Sequence, residues 1–416
     1  MYKIYFKQAI QMLKQNKFIS IISIVGTALA IMMIMTLLVV EEIRNVSIAP
    51  ESNRYRTLYI TFQTVREPVD EWWGFNTRSN VVENPQFHRY LLPHLRTPEI
   101  ISMVGGFDPE RRRTVNIEGS SEYFLLPVRT VDAAYWNVFD FDFIDGNPFV
   151  EEDVRNAVLS ERTARELFGG ERAVGRTIQM NFIDYRVAGV VRDVPRVFRW
   201  ASSDIWASGE VWGNVLLVAK DRRDFPAIIA EVREAERYFN IANAPHFIYF
   251  EGPQSQRVLN MGDFWANTES EFENAIRVAN LRRALLFIIL LIIPALNLSG
   301  FSLSRIKKRT AEIGVRKAFG AKKQTILVQV LYENLITSLI GGVIGLIFSY
   351  IAVLYLRGWL LGVPSDDTIP IGALLSPMIF VMVFAVCVLL NLLSAGLSAF
   401  KASRMSIVNS LSKNDN

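Results

Sequence analysis

The segment that most resembles a chemical site is Gly170–Thr177, which reads GERAVGRT. Its spacing matches the phosphate-binding loop G-x-x-x-x-G-K-[ST], except that Arg176 stands where the lysine belongs. In such a loop the backbone amides and the lysine bind the phosphates of a nucleotide. Nucleotide binding is therefore the first chemistry to consider.

The elements on either side of this loop are inconsistent with nucleotide binding. A phosphate-binding loop follows a strand and opens a helix, whose N-terminus faces the phosphates. Here Glu161–Phe168 (ERTARELF) predicts a helix before the loop, and Thr177–Met180 (TIQM) predicts a strand after it. We interpret the loop as a helix-to-strand turn that does not bind ATP.

The sequence also lacks the patterns of a histidine metal site and of a nucleophilic serine. His88, His94 and His246 are scattered, and the metalloprotease pattern H-E-x-x-H does not occur. Ser160 ends a predicted strand, but the sequence around it lacks the G-x-S-x-G pattern of a nucleophilic serine.

An acidic cluster invites comparison with a calcium site. Asp140, Asp142 and Asp145 alternate with aromatic residues, and the spacing of an EF-hand loop is not met. A strand edge followed by a turn explains the cluster better. Trp72–Trp73 and Tyr135–Trp136 could line a ligand groove, although a buried core or a subunit contact is the favoured interpretation.

Four segments are long enough to cross a membrane, which takes roughly 20 apolar residues. In chain order, the four spans are Phe18–Val40, Ala284–Ser304, Gln324–Leu356 and Ile371–Phe400. The third is interrupted only by Glu333. The first segment is too long for a signal peptide and no small-residue cleavage site follows it, so we interpret it as a retained anchor.

Lysine and arginine near the span ends set the orientation. Eight cations lie between the second and third spans, where Glu312 is the lone acid. This basic loop and both termini are therefore predicted to face the cytoplasm, and Arg44–Asn280 is predicted to face outward.

The net charge of +4 combines two opposite parts. Arg44–Asn280 has 27 basic and 34 acidic residues, whereas the remainder has 18 basic and 7 acidic residues. The basic excess reflects topology and attraction to anionic membrane lipids, so no nucleic-acid partner is indicated. The one cysteine, Cys387, lies in the fourth span, so the outward part has no disulfides.

The outward part reads as an α+β domain with a second subdomain inserted in it. Thr57–Val65, Asn156–Ser160 and Tyr185–Val191 have the composition of strands. The predicted fold is an α-helical membrane protein with four transmembrane helices and a large α+β extracytoplasmic domain inserted between the first and second helices. The predicted parts are residues 1–43, 44–280 and 281–416, with a cytoplasmic loop at 305–323.

Four stretches carry a resemblance to a known family. Arg309–Ile326 reads R-x-x-EIGVRKAFGAKK-x-x-I, and Tyr332–Tyr350 reads YENLITSLIGGVIGLIFSY. Lys401–Ser412 (KASRMSIVNSLS) and Phe141–Ile178, which contains the GERAVGRT loop, complete the set. Together with the order of spans and domain, they resemble the permeases of MacB/FtsX-type ABC transporters.

The resemblance implies a mechanical role without catalysis by this chain. A cytoplasmic ABC ATPase dimer would bind ATP and Mg and would dock on two permeases, either two copies of this chain or this chain and a paralogue. No ATPase domain precedes the first span, so a separate ATPase chain is expected. The protein would be a multi-pass protein of the bacterial inner membrane, and efflux members also work with a periplasmic adaptor and an outer-membrane duct.

The resemblance also places residues at the contact with the ATPase. These ATPase-coupling residues are Glu312, Gly314, Arg316, Lys317 and Gly320. The alternative is a basic amphipathic helix that only lies on the lipid surface. Two glycines favour the coupling interpretation, because each costs about 1 kcal/mol relative to alanine within a helix.

The third span contains further candidates. Glu333 is a functional candidate because an intramembrane carboxylate is costly, although its side chain could equally reach the inner interface. Gly341, Gly342 and Gly345 are small enough to let two helices pack closely.

The predicted function is therefore an ABC transporter permease that converts ATP hydrolysis into motion of its outward domain, for export or efflux. The alternative is a membrane-anchored sensor or scaffold, such as an FtsX-like regulator of cell-wall hydrolases. A membrane-anchored hydrolase is disfavoured because the chain lacks catalytic groups.

Overall fold

The computed structural model describes residues 11, 15, 17–66, 76–79, 82, 87–105, 112–117, 122–150, 155–244, 247–259, 274, 277–282, 284–286, 288–289, 323–361, 381, 384–385 and 388–389. These residues fall into two compact units. The globular unit is Ile43–Asn280, and the helical unit comprises the described residues on either side of it. The first boundary, between Glu42 and Ile43, falls inside a continuous helix.

The described α-helices are α1 (Lys17–Asn45), α2 (Tyr135–Val138), α3 (Glu161–Phe168), α4 (Phe225–Ala242), α5 (Gln256–Leu259) and α6 (Lys323–Leu361). The strands are β1 (Thr57–Ile60), β2 (Phe62–Arg66), β3 (Asn76–Ser79), β4 (Ile100–Gly105), β5 (Arg112–Ile117), β6 (Phe124–Thr130), β7 (Phe143–Gly146), β8 (Asn156–Ser160), β9 (Thr177–Met180), β10 (Ile183–Val191), β11 (Ile205–Ala207), β12 (Gly213–Val218), β13 (Phe247–Glu251) and β14 (Gln254–Ser255). Short 3-10 turns occupy Arg54–Arg56, Leu92–His94 and Arg222–Asp224, and a π turn occupies Phe87–Leu91.

A four-stranded antiparallel sheet of order β14-β1-β12-β4 forms the centre of the globular unit. Every residue of β1 and of β12 is buried, because both faces of the sheet are covered. Leu58 and Leu217 pack on the side of helix α4, whereas Tyr59 and Leu216 pack into a second core on the other side. The alternation of side chains along a strand sends neighbouring residues into different cores.

The inserted subdomain is a small closed barrel. Strands β10, β8, β11, β6, β5 and β9 follow one another, and a β9–β10 pairing closes the ring. The long strand β10 pairs with β9 through its first half and with β7 through its second. The whole barrel lies in the chain between β4 and β12, which are neighbours in the central sheet, so the predicted insertion is confirmed.

One predicted strand is wrong in its extent. Thr57–Val65 was expected to be a single strand, but it divides at Thr61 into β1 and β2, which belong to different sheets. Strand β1 pairs with β12 and β14, whereas β2 pairs with β13 and β3. The apolar composition favours extended backbone throughout but does not determine which strand lies alongside.

Helix α3 forms where the sequence predicts it. The Ser160 side chain caps its N-terminus by accepting a hydrogen bond from the Thr163 amide, and Gly169 ends it in the left-handed conformation. Ala164, Leu167 and Phe168 pack against the core of the barrel.

Two described helices are long and apolar enough to cross a membrane. They are Ser20–Asn45 in α1 and Asn334–Leu361 in α6, with 26 and 28 residues. They correspond to the first and third predicted spans. The second and fourth, 284–304 and 371–400, lie mostly outside the described residues, so the count of four spans stays a prediction.

Candidate functional site

Helices α1 and α6 pack closely through a glycine seam. The seam consists of Ile24, Thr27, Ala28 and Ile31 on α1 and of Gly341 and Gly345 on α6. A Cβ atom built on Gly341 would lie 2.9 Å from the Cβ of Thr27, and one built on Gly345 would lie 2.6 Å from the Ala28 carbonyl oxygen. A side chain at either position would force neighbouring atoms of helix α1 to shift.

Two hydroxyl groups near the seam form hydrogen bonds within their own helices. Thr27 Oγ1 donates to the Ser23 carbonyl at 2.8 Å, and Ser338 Oγ donates to the Asn334 carbonyl at 2.8 Å. All four residues are buried. Such hydrogen bonds let small polar side chains line an apolar helix contact without leaving a donor unpaired.

Gly342 and Glu333 lie elsewhere on α6. A Cβ atom on Gly342 would lie 2.5 Å from a ring carbon of Phe384, a residue of the fourth predicted span. Glu333 is part of helix α6, but its side chain lies outside the described part of the chain.

The predicted ATPase-coupling residues fall outside the described residues. They are Glu312, Gly314, Arg316, Lys317 and Gly320. Their assignment therefore stays a prediction.

The end of helix α1 is held by Arg54, which sequence reasoning missed. The guanidinium NH1 of Arg54 donates to the carbonyls of Ile43, Arg44 and Val46 at 3.3, 3.1 and 3.1 Å. The last carbonyls of a helix lack intrahelical partners, so this side chain satisfies them. Arg54 is 3 % exposed and belongs, like residues 43–46, to the globular unit.

Glu51 completes this cap. Its carboxylate accepts a hydrogen bond from Arg54 Nε at 2.5 Å and is fully buried. The same carboxylate accepts hydrogen bonds from the amides of Trp200 and Ala201 at 2.8 and 2.9 Å. In the sequence, this cap corresponds to an acid and an arginine three residues apart just after an apolar span. Exposed ion pairs show the same spacing, so the pattern alone does not predict a buried cap.

The GERAVGRT loop is held by ion pairs and by a backbone hydrogen bond to the barrel. Helix α3 precedes it and strand β9 follows it, as the sequence predicts. Arg172 binds Asp145 with two hydrogen bonds of 2.9 and 3.0 Å, and Arg176 pairs with Glu171. The Gly175 amide donates to the Val187 carbonyl at 2.8 Å, which fastens the loop to the barrel.

The other acidic residues of the cluster are also paired separately. Asp142 binds Arg192 at 2.7 Å, and Asp140 accepts a hydrogen bond from Ser52. Within the described residues, no group of three or more His, Cys, Asp or Glu side chains could hold a metal ion.

Tyr135 lies in the core, which is the interpretation that the sequence favoured. Its hydroxyl donates to the Trp200 carbonyl at 3.0 Å and accepts from Trp206 Nε1 at 3.1 Å. Burial raises the pKa of Tyr135 well above its ordinary value, and burial does the same to the pKa of Tyr59. Burial also lowers the pKa of Arg129, which donates to the carbonyls of Arg199 and Trp200 at 3.1 and 3.2 Å.

Comparisons with known proteins match both parts of the chain. The family described as MacB-like periplasmic core domain matches residues 20–235, and the family described as FtsX-like permease C-terminal matches residues 284–407. The chain is 24 % identical over 320 residues to a macrolide export ATP-binding/permease protein MacB of Chromobacterium violaceum, covering 74 % of this chain and 47 % of the relative. It is 27 % identical over 308 residues to MacB of Escherichia coli K12, covering 68 % of this chain and 43 % of the relative.

The chain thus spans about half the length of the curated relatives that it matches. Among solved structures, the periplasmic region of MacB from Actinobacillus actinomycetemcomitans aligns with a TM-score of 0.31 and 15 % identity, covering 46 % of this chain and 88 % of that one.

Proposed function

Because the chain belongs to the family of MacB-like ABC transporter permeases with an FtsX-like C-terminal part, we propose that it couples ATP hydrolysis to motion of its periplasmic globular unit. The ATP is hydrolysed by an ABC ATPase that docks on the cytoplasmic side of this membrane protein. The work is done on a substrate for export or efflux, and the permease acts as a pair of copies or of paralogues.

One observation carries this proposal. The boundary between the two units falls inside helix α1, and the last residues of that helix are bound to Arg54 within the globular unit. Helix α1 runs without interruption from Lys17 to Asn45, so we expect a displacement of the span to move the residues at the start of the globular unit. This arrangement suits a machine that transmits movement.

The coupling segment supplies the test. We expect Glu312→Ala, Gly314→Leu and Arg316→Ala to leave expression and membrane insertion unchanged while weakening attachment of the ATPase. Gly314→Leu should interfere sterically with the contact. For Glu312 and Arg316, loss of a charge-assisted hydrogen bond costs about 1.5–3 kcal/mol. This cost corresponds to a roughly 10- to 150-fold weaker affinity. The measurement is co-purification of the ATPase with each full-length variant.

Lys307→Ala is the matched control, because it removes a cation from the same basic loop but outside the stretch that resembles the family. Undiminished ATPase attachment in all three variants would contradict the coupling interpretation and favour the alternative, in which the segment only lies on the lipid surface as an amphipathic helix. Attachment that falls equally in the control would show that charge, and not a specific contact, holds the ATPase.

A further inference from the structure

Within the described part of the chain, two stretches lead from the globular unit towards the helical unit. The entry stretch is the end of helix α1 with the turn that follows, residues 43–54. The exit stretch contains β14 and α5, residues 254–259, and leads on to the helical residues 277–282.

The entry stretch is bound to Val197–Ala201, which we name the anchor segment. Arg54 NH2 donates to the Val197 carbonyl at 3.3 Å, and the Arg54 guanidinium lies 5.2 Å from the centre of the Phe198 ring. The Glu51 carboxylate accepts hydrogen bonds from two amides of the anchor segment, at 2.8 and 2.9 Å. Thus Arg54 binds the helix end and the anchor segment with one side chain.

The exit stretch is bound to the same anchor segment. Trp200 Nε1 donates to Gln256 Oε1 at 2.5 Å, and both residues are buried. The Trp200 ring also stacks on Tyr59 with centroids 4.7 Å apart, and Tyr59 pairs with Gln254 between strands β1 and β14. One tryptophan therefore contacts the exit stretch directly and through its neighbouring strand.

The anchor segment is in turn bound to the barrel. Arg129 on strand β6 donates to the carbonyls of Arg199 and Trp200, and Tyr135 donates to the Trp200 carbonyl. Arg129 is 5 % exposed, and Tyr135 is fully buried. Hydrogen bonds to buried groups are costly to break, so the segment holds one position relative to β6.

We propose that the anchor segment fastens both connections to the barrel and transmits span movement to it, with Arg54 and Gln256 as positioning residues. The transmission rests on the proposed function, whereas the fastening does not. A planar guanidinium with several fixed donors defines a direction as well as a contact, which a hydrophobic side chain of equal size does not do. Stability alone does not require it, since a buried ion pair adds little over apolar packing.

Hydrogen exchange of the full-length protein in lipid nanodiscs tests the fastening. Arg54→Lys keeps the positive charge but removes the planar guanidinium with its several fixed donors. We expect it to raise the amide hydrogen-exchange rates of residues 43–46 and 197–201 by about tenfold or more. Gln256→Met should raise exchange of residues 197–201 and 254–259. Unchanged exchange in both variants overturns the proposal.

Neighbouring residues provide matched controls. Arg56→Lys alters an arginine of the same turn. The Arg56 side chain donates to Asn53 and to the Ala219 carbonyl, which lie outside the anchor segment. Gln254→Met alters a glutamine of the same strand–helix connection whose side-chain carbonyl has no hydrogen-bond partner. Both controls should keep the exchange of residues 197–201 at the level of the unaltered protein, and an equal rise in a control overturns the assignment. Should Arg54→Lys fail to fold, Gln256→Met and its control carry the test.

Transmission is measured on the complex with the ABC ATPase, from the change in exchange of strands β5 and β9 when ATP is added. Arg54→Lys and Gln256→Met should retain ATP hydrolysis but lose most of this change, and a full response in both overturns transmission. No response in the unaltered protein would refute the proposed function and transmission with it, while the nanodisc experiment still decides the fastening.

Discussion

Gly345 of helix α6 lies directly against Ala28 of helix α1, so that a Cβ atom on Gly345 would stand 2.6 Å from the Ala28 carbonyl oxygen. Four residues earlier, Gly341 faces Ile24 and Thr27 in the same way. This spacing puts both glycines on one face of α6, and the backbones of the two helices approach along it.

A side chain in the glycine seam should therefore separate the two helices. We expect Gly345→Leu to lower the free energy of unfolding by about 1–3 kcal/mol, because an overpacked contact forces backbone shifts. Chemical unfolding of the full-length protein in detergent micelles measures this. Val343→Leu is the matched control, since Val343 is 53 % exposed on the same turn of α6. Equal effects of the two changes would contradict the seam.

The orientation in the membrane can be read by labelling. With Cys387 replaced by serine, a cysteine at Glu210 should react with a membrane-impermeant thiol reagent in spheroplasts, and a cysteine at Ser410 should react only after lysis. Glu210 is exposed, whereas the nearby Ser208 is buried and accepts a hydrogen bond from the Asn156 amide. The reverse labelling pattern would refute the orientation predicted from the basic loop.

Restoring the missing lysine should not create a nucleotide site. Arg176→Lys completes the pattern G-x-x-x-x-G-K-[ST], but the loop still follows helix α3 and leads into strand β9. A phosphate needs the amides at the start of a following helix, which this order does not offer. Calorimetric titration with ATP should show no binding by either the variant or the unaltered protein, and micromolar binding by either would contradict this interpretation.

Alkaline pH should destabilise the fold through two buried tyrosines. Tyrosine has an ordinary pKa of 10.0, and burial raises the pKa of Tyr59 and Tyr135. Their stabilising contribution is complete below pH 10, and it is lost as the pH rises through the raised value, because the unfolded chain then binds fewer protons. Each tyrosine should lower the free energy of unfolding by about 1.4 kcal/mol per pH unit in that range.

Variants separate the two contributions. Tyr59→Phe and Tyr135→Phe should each reduce the slope of stability against pH by one proton, and the double variant should reduce it by two. Unfolding curves between pH 10 and the onset of alkaline unfolding provide the slope, and tyrosinate absorbance reports the ionisation. If the double variant keeps the slope of the unaltered protein, the pKa values of the two tyrosines are not raised in the folded state.

Local patterns in the sequence were sufficient for the elements that form from neighbouring residues. The strand Asn156–Ser160 follows from its composition and the helix Glu161–Phe168 from its helical spacing, and the apolar lengths predicted helices α1 and α6. The order of helix, loop and strand around Gly170–Thr177 was equally readable, because it depends only on adjacent segments.

The tertiary structure alone decided which distant segments meet. The division of Thr57–Val65 into two sheets and the closure of the barrel by β9 and β10 depend on pairings that composition does not specify. Arg54 and the Val197 carbonyl are 143 residues apart, and the Glu51 carboxylate meets amides 149 and 150 residues away. Local periodicity carries no information about such partners, because a buried charge is satisfied by whichever groups the packing of the whole chain brings within hydrogen-bond distance.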